Sequence, residues 1–394
     1  MSKIVRLTVL LAVLLSALCF FTFAAGEQKA EEITKKCTIT TSNSGKSKLT
    51  NGKLDDYWES KKTSSTITIA LPSGKTPGGI LIKWFHDFDR FEYRQYARDG
   101  SLISETDSSA YFRGHTTWLE LNENAAKAEI QVYNSGKICG LQVYSAGDDP
   151  KIQKWQNPAD KIDLLMIVAH QDDEELWFGG MLPYYSAVRG KNVQVVYMTS
   201  CGRKRIQESL NGLWVMGVKT VPEVIGLANK YPDTVTEAYE AWHGRDNVKR
   251  LLVQTIRKYR PEVIVTHDWD GEYGHSQHKA TARVMEEAIR EAADPQMYPE
   301  SAELYGVWQT KKLYLHLSDT APIYMDWTVP AEELGGKTPI AMAELGYKEH
   351  KSQQKAYSMD MGKKKYDYTK FGLVFTTVGP DVEKNDLLEN TDAQ

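Results

Sequence analysis

Residues 162–177 read IDLLMIVAHQDDEELW. An apolar run rich in Leu, Ile and Val stops at His170, and two aspartates and two glutamates follow before Leu176. A short apolar run that ends so abruptly predicts a buried strand, of the kind that builds parallel sheets covered on both faces. The acids then fall at the start of a helix. In open α/β sheets ligands gather beyond the carboxyl ends of the strands, and a histidine with an aspartate three residues on can hold one metal ion from a single turn.

The sequence on either side separates into two patterns. After Lys161, helix-like and strand-like segments alternate: a helix through Tyr185, a strand at 193–200, helices at 203–216 and 247–259, a strand at 262–268, a helix at 279–293 and a strand at 312–317. This order predicts a Rossmann-like α/β domain over 161–380, with a mostly parallel sheet and helices on both faces. Before it, the segments 65–71, 79–85, 91–97, 116–121, 128–133 and 139–144 alternate with period two between Gly, Asn, Asp and Ser clusters. They predict an antiparallel β-sandwich of jelly-roll type over 33–147. Residues 148–160 carry Pro150, Asn157 and Pro158 and suit a linker, while the polar, acid-rich tail 381–394 reads as frayed.

At 394 residues the chain exceeds what one core usually organises, so two domains are expected, and a hydrophobic content of 41% is ordinary for globular protein. Residues 1–26 begin with Lys3 and Arg6, continue as an apolar run and end in Ala24, Ala25 and Gly26, which describes a secretory signal peptide. Cys19 invites a lipoprotein reading, but Leu18 is too bulky for the position before a lipidated cysteine, so ordinary cleavage is expected. Removing the leader takes away two positive charges and no acid, moving the formal net charge from −4 to −6. An acidic protein of this kind is a poor nonspecific binder of nucleic acid. No other apolar run is long enough to span a bilayer, so a secreted or cell-envelope protein without a transmembrane segment is expected. Outside the cell disulfides persist, and Cys37 and Cys139 near the two ends of the β region are expected to be bonded, leaving Cys201 as a free, buried thiol.

A second stretch, THDWDGEYGHSQHKA at 266–280, also begins where a buried strand ends. Gly271 and Gly274 bend the loop, and His275 and His278 stand just ahead of a helix. His170, Asp172, Asp173, His275 and His278 therefore fall on one rim of the predicted sheet. A catalytic zinc takes three protein ligands and keeps one position for water. Two histidines and one carboxylate meet that count, which leaves a carboxylate to act as base and a histidine as acid or electrostatic partner. Asp172 with Glu175 also fits a helix N-cap with an acid at the third position, a purely structural role. Helix capping does not account for the second cluster, and the coincidence of the two at strand ends favours a site.

AHQDDE at 169–174 resembles the AHPDDE signature of the GlcNAc-phosphatidylinositol de-N-acetylase (PIG-L/LmbE-like) family, and YGHSQH at 273–278 resembles its YGHPDH. Arg205 and Glu208, followed by Met216, are similar to its R-x-x-E segment, and HKSQ at 350–353 to its late H-x-S-Q. The resemblance implies a zinc-dependent deacetylase in which His170, Asp173 and His278 bind zinc, or another divalent ion, and Asp172 is the general base for the water that attacks the acetamide. It implies that His275 stabilises the intermediate or protonates the amine, that Tyr273 polarises the carbonyl and that Arg205 holds sugar hydroxyls. Gln171, Ser276 and Gln277 depart from the family pattern, which bears on loop rigidity and on the groups that orient the histidines.

The β region resembles discoidin-like (coagulation factor 5/8 type C) sandwiches, through LTNGKLDDYWES at 49–60 and the strands that follow. That likeness implies a carbohydrate-binding domain, for which Tyr57, Trp58, Trp84, His86 and Trp118 are the candidate stacking faces, although core packing explains most such rings. The expected activity is removal of the N-acetyl group from an N-acetylglucosamine-type sugar or glycoconjugate. The alternative is a carbohydrate-binding or adhesion protein with a non-catalytic deacetylase-like domain.

Overall fold

The alternating segments of the first part of the chain become strands of two facing sheets. The structure is a computed structural model that describes residues 29–360 and 365–392; the leader expected over 1–26, with Cys19, lies outside the described residues. Nine strands form this part among the described residues: β1 (Thr38–Thr41), β2 (Trp58–Glu59), β3 (Ser65–Ala70), β4 (Pro77–Trp84), β5 (Phe91–Tyr96), β6 (Leu102–Asp107), β7 (Thr116–Glu120), β8 (Lys127–Val132) and β9 (Lys137–Ser145). A five-stranded antiparallel sheet, β1-β3-β8-β5-β6, faces a four-stranded one, β2-β9-β4-β7. Ile67, Ile69, Phe91 and Ile130 of the first meet Ile80, Ile82, Leu119 and Leu141 of the second in one core. Period two places these side chains on the inner faces.

The four-stranded sheet is covered on its outer face as well. Leu81, Trp118 and Tyr144 enter the core of the second region beside Ile152 and Trp155, so the sandwich is packed against the α/β part. Of the rings considered as stacking faces, Trp58 and Trp84 are core residues and Trp118 is in this seam, while Tyr57 and His86 keep surface.

The disulfide expected between Cys37 and Cys139 is not formed; both are free thiols, as is the partly buried Cys201. Each sulfur has its own partners. Cys37 Sγ donates to the Ile33 carbonyl at 3.4 Å, Cys139 Sγ to the Lys83 carbonyl at 3.4 Å, and Arg203 Nε reaches the Cys139 sulfur at 3.3 Å. Proximity of two cysteines in a region says nothing of where their β carbons point, and a bridge requires that direction.

The second region holds β10 (Leu164–Val168), β11 (Val193–Ser200), β12 (Glu223–Ala228), β13 (Val263–Thr266), β14 (Lys312–His316), β15 (Pro322–Tyr324) and β16 (Lys370–Thr376). Among the described residues they form one seven-stranded sheet, β12-β11-β10-β13-β14-β16-β15. The first five strands are parallel, and β16 runs antiparallel between β14 and β15. Leu164, Met166 and Val168 of β10 enter the core on one face, Leu165 and Ile167 the core on the other, and all five are fully buried. That two-sided burial is why the run lacks polar alternation.

Eight α-helices cover the sheet among the described residues: α1 (Asp173–Leu176), α2 (Arg203–Val215), α3 (Val235–Ala241), α4 (Arg245–Tyr259), α5 (Ser276–Ala282), α6 (Met285–Ala292), α7 (Pro299–Tyr305) and α8 (Pro339–Tyr347). The helix expected through Tyr185 is shorter: α1 is one turn, and Pro183 opens a separate π-helical turn. The helix expected at 279–293 is two, the first beginning early because His275 caps it by accepting from the Gln277 N–H. The tail from 381 is docked rather than frayed. Leu387 and Leu388 are in the core, Asp381 pairs with the buried Lys312, and its other oxygen takes the Tyr314 hydroxyl at 2.5 Å. No helix among the described residues is long and apolar enough to cross a membrane.

Candidate metal centre

Strands β10 and β13 are neighbours at the point where the build-up of the sheet reverses direction, and at such a switch point the loops part and leave a crevice. The end of β10 supplies His170, Asp172 and Asp173; the loop after β13 and the first turn of α5 supply His275 and His278. His170 Nδ1 lies 3.2 Å from His278 Nε2 and 3.2 Å from Asp173 Oδ2, and His278 Nε2 lies 3.4 Å from Asp173 Oδ1. An ion held tetrahedrally at about 2.0–2.1 Å needs ligand atoms about 3.3 Å apart. The triangle of these three side chains is on that scale, with His170 facing one Asp173 oxygen and His278 the other, and its two-nitrogen, one-carboxylate donor set suits zinc.

Their hydrogen bonds turn both histidines the right way. Gln277 Nε2 donates to the Ala228 carbonyl at 2.9 Å, which leaves Oε1 to accept from His170 Nε2 at 2.8 Å. With its proton on Nε2, His170 presents the Nδ1 lone pair to the triangle. His278 Nδ1 donates to Glu272 at 2.7 Å and so presents Nε2. A ligand histidine oriented through its other nitrogen is a usual feature of metal sites.

Glu272 is a hub that reading the sequence missed. It is fully buried and also takes His267 Nδ1 at 2.8 Å and His316 Nδ1 at 2.7 Å. Burial works to raise its carboxyl, but the hydrogen bonds from His267, His278 and His316 prevail and hold it well below the usual range. His267 stacks on His278 with centroids 3.9 Å apart, and its Nε2 accepts the Ala169 N–H at 2.8 Å. The only signal in the sequence was that His267 and His316 close buried strands, a weak one for any single histidine.

Asp172 stands beside the triangle, held at φ 126°, where an L side chain rarely rests, with its N–H donated to Glu174 Oε2 at 2.9 Å. Burial pushes its carboxyl up to about 7, against the opposing pull of Arg205, whose Nη2 is 2.6 Å from Oδ1. Arg205 Nε also donates to the Gln171 carbonyl at 3.0 Å, so the arginine expected to meet sugar is largely committed to this turn. Gln171, found where the family pattern has proline, holds the turn by bonding: its Nε2 donates to the Thr199 carbonyl at 2.8 Å and its Oε1 accepts the Cys201 N–H at 3.0 Å.

His275 stacks on His278 at 4.6 Å, and burial, then the neighbouring His278 and His170, push it down to about 2. Because its Nδ1 accepts the Gln277 N–H at 3.2 Å, its proton is on Nε2. Tyr273, at φ 46°, closes one side of the mouth against Trp177, with centroids 5.6 Å apart. Tyr231, 70% exposed, stands 5.8 Å from the His275 ring on the other. The space these groups leave between them is about 20 Å³, too little for a sugar ring.

The remaining motifs join behind the centre. Glu208 on α2 accepts from Ser352 Oγ at 2.5 Å and from its N–H at 3.1 Å, and His350 Nε2 lies 3.4 Å from Glu175 Oε2.

Residues 165–289 match the model of the family described as PIG-L: GlcNAc-PI de-N-acetylase. The 1D-myo-inositol 2-acetamido-2-deoxy-alpha-D-glucopyranoside deacetylase of Corynebacterium jeikeium (strain K411) is 27% identical over 236 residues, which cover 47% of this chain and 71% of that protein. A deacetylase of the same description from Catenulispora acidiphila is 29% identical over 212 residues, which cover 46% of this chain and 60% of that protein, less than two thirds of its length. The solved family 32 CBM from C. perfringens NanJ in complex with galactose is 14% identical, with a TM-score of 0.25, covering 29% of this chain and 98% of that one. The α/β region carries a PIG-L-type deacetylase domain, and its His, Asp and Glu clusters can coordinate a divalent metal.

Proposed function

We propose that the chain is a secreted, zinc-dependent hydrolase that removes the N-acetyl group from an N-acetylglucosamine-type sugar or glycoconjugate. The observation that carries this reading is the triangle of His170 Nδ1, Asp173 and His278 Nε2 with the Asp172 carboxylate beside it. These three side chains would hold zinc or another divalent ion, which when bound polarises a carbonyl and acidifies water. Asp172 takes the proton of the attacking water, and its raised affinity for protons suits a base working near neutrality. His275, neutral with its hydrogen on Nε2, donates to the acetamide oxygen as negative charge builds there, and the Tyr273 hydroxyl assists. The proton held by Asp172 is then available to the departing amine.

The space beside the triangle, about 20 Å³, does not admit a sugar ring, so the sugar lies outside it, against Tyr231 and the free edge of Arg205. Both curated relatives are named for a 2-acetamido-2-deoxy-glucopyranoside, which favours a glucosamine-type substrate. The leader at 1–26 supports export. The sandwich at 33–147 would bind carbohydrate and keep the domain at 161–380, joined by the linker 148–160, near its substrate.

The test is acetate release from N-acetylglucosamine oligosaccharides and glycolipids by the zinc-reconstituted chain. Activity that disappears in Asp172→Ala, with metal content unchanged, is the expected result. A protein that binds zinc and glycans but frees no acetate across the panel would instead be the non-catalytic carbohydrate binder.

A further inference from the structure

A cavity of about 520 Å³ opens on the sandwich, far larger than the space at the metal centre. Its floor is formed by β4 and β9 at Lys83, Cys139 and Gly140, and its walls by the turns Thr34–Lys36 and Lys46–Leu49. Lys35, Lys46 and Lys83 line it against one acid, Glu32. That acid is already engaged, accepting from Thr34 Oγ1 at 2.9 Å and from Gln142 Nε2 at 3.1 Å.

Lys83 is the unusual member. Its stem lies flat across Gly140, its register partner on β9, where a Cβ would stand only 3.2 Å from the lysine's side-chain carbons. The absence of a side chain at 140 is what lets the lysine cross the floor. Its ammonium has no hydrogen-bond or ion-pair partner among the described residues, and burial, reinforced by the charge of Arg203, lowers its proton affinity. Arg203, at the start of α2, reaches the Cys139 sulfur with Nε at 3.3 Å, while its Nη1 and Nη2 are buried without an acceptor. Arg203, from the α/β region, thus acts on Lys83 from beyond Cys139, and neither cation is hydrogen-bonded to a carboxylate among the described residues. Lys83 is partly buried and faces the cavity without a bonded acid, and an oxyanion is the natural complement of such a charge.

We infer that this cavity binds a sugar-sized ligand bearing a carboxylate, of the uronic acid type, whose oxyanion meets Lys83 at the floor. The volume falls within the range of small-molecule sites. Ile39 and Leu54 offer an apolar face, and Thr50 and Gln142 offer polar groups for hydroxyls. The site sharpens the tethering role proposed for the sandwich, and it stands or falls separately from the deacetylase reading.

Calorimetric titration of the full chain with glucuronate, glucose and inorganic sulfate tests it. Glucuronate is expected to bind, glucose not to bind, and sulfate to bind more weakly than glucuronate. Lys83→Met should weaken glucuronate at least about tenfold, the loss of one charge-assisted contact. Gly140→Ala, which crowds the stem without removing the charge, is the second variant and should weaken it too. Acetate release by the same preparations should be unchanged, because Lys83 touches no group of the metal centre. Glucuronate that fails to bind, binds no better than glucose or sulfate, or binds Lys83→Met as tightly as the parent overturns the proposal, whatever the acetate assay returns.

Discussion

At Asp172 backbone strain, burial and an arginine act on one carboxylate. Burial raises its proton affinity and Arg205 lowers it, so the two set the pH at which the base becomes available. A protonated Asp172 cannot accept a proton, so acetate release should fall as pH drops through about 7. Removing the guanidinium in Arg205→Ala takes away the charge that favours the carboxylate. The acidic limb of kcat/KM should therefore move to higher pH, and a limb that stays put would separate Asp172 from the base role. Gln277 acts one step further out, holding His170 by an amide that Ala228 fixes in turn. Gln277→Leu should weaken zinc binding by roughly 10–100-fold, read by chelator competition, as for other groups that orient metal ligands. An unchanged affinity would mean that His170 needs no such support.

At the scale of elements, the crossing of α2 and α8 sets the ground beneath the centre. Gly212 and Gly346 face each other there, and a Cβ at Gly212 would stand 2.6 Å from Glu175 Oε1, so the helices pack directly over that acid. Glu174, Glu175 and His350 are fully buried under the crossing, and neither Glu175 oxygen has a hydrogen-bond partner. Burial, then the neighbouring Glu175, pushes Glu174 up to about 8, and burial pushes Glu175 higher than the ordinary carboxylate range as well. The folded state therefore keeps protons that the unfolded chain releases near about 4.3. Stability from this pair is complete at low pH and declines as pH rises toward about 8. Glu175→Gln, which keeps shape and loses the ionisation, should flatten that decline. Melting midpoints compared at about pH 6 and about pH 9 should fall a few degrees less in the variant than in the parent. Equal falls would show that the acids do not titrate with unfolding.

Across the whole molecule, two distant connections unite the chain. One is the seam in which Leu81, Trp118 and Tyr144 of the sandwich join the α/β core. The other is the C-terminal segment, where Asp381 answers the ammonium of the fully buried Lys312. Breaking a buried pair from one side leaves the other charge uncompensated and typically costs about 3–5 kcal/mol. Asp381→Ala should lose about that much in urea denaturation and should release the tail to limited proteolysis. A loss below about 1 kcal/mol would mark the pair as dispensable, as exposed pairs are.

The part of this protein legible in its sequence is the part set by local pattern. The period-two segments specify the two-sided sandwich, and the unbroken run at 164–168 specifies a strand buried on both faces. Because such strands end where polar residues begin, His170, Asp172, Asp173, His275 and His278 could be placed on one rim before any fold was known. What tertiary structure alone decided is which side chains arrive from elsewhere and which way they point. Glu272 gathers His267, His278 and His316 because β13 and β14 are neighbours, Gln277 is locked by a carbonyl of β12, Arg205 turns to Asp172, and the two sandwich thiols find other partners than each other. Periodicity records only whether a position is inside or outside. Pairing depends on the direction of the Cα–Cβ bond and on the register of strands far apart in the chain, and both are fixed only when the whole sheet has closed around its core.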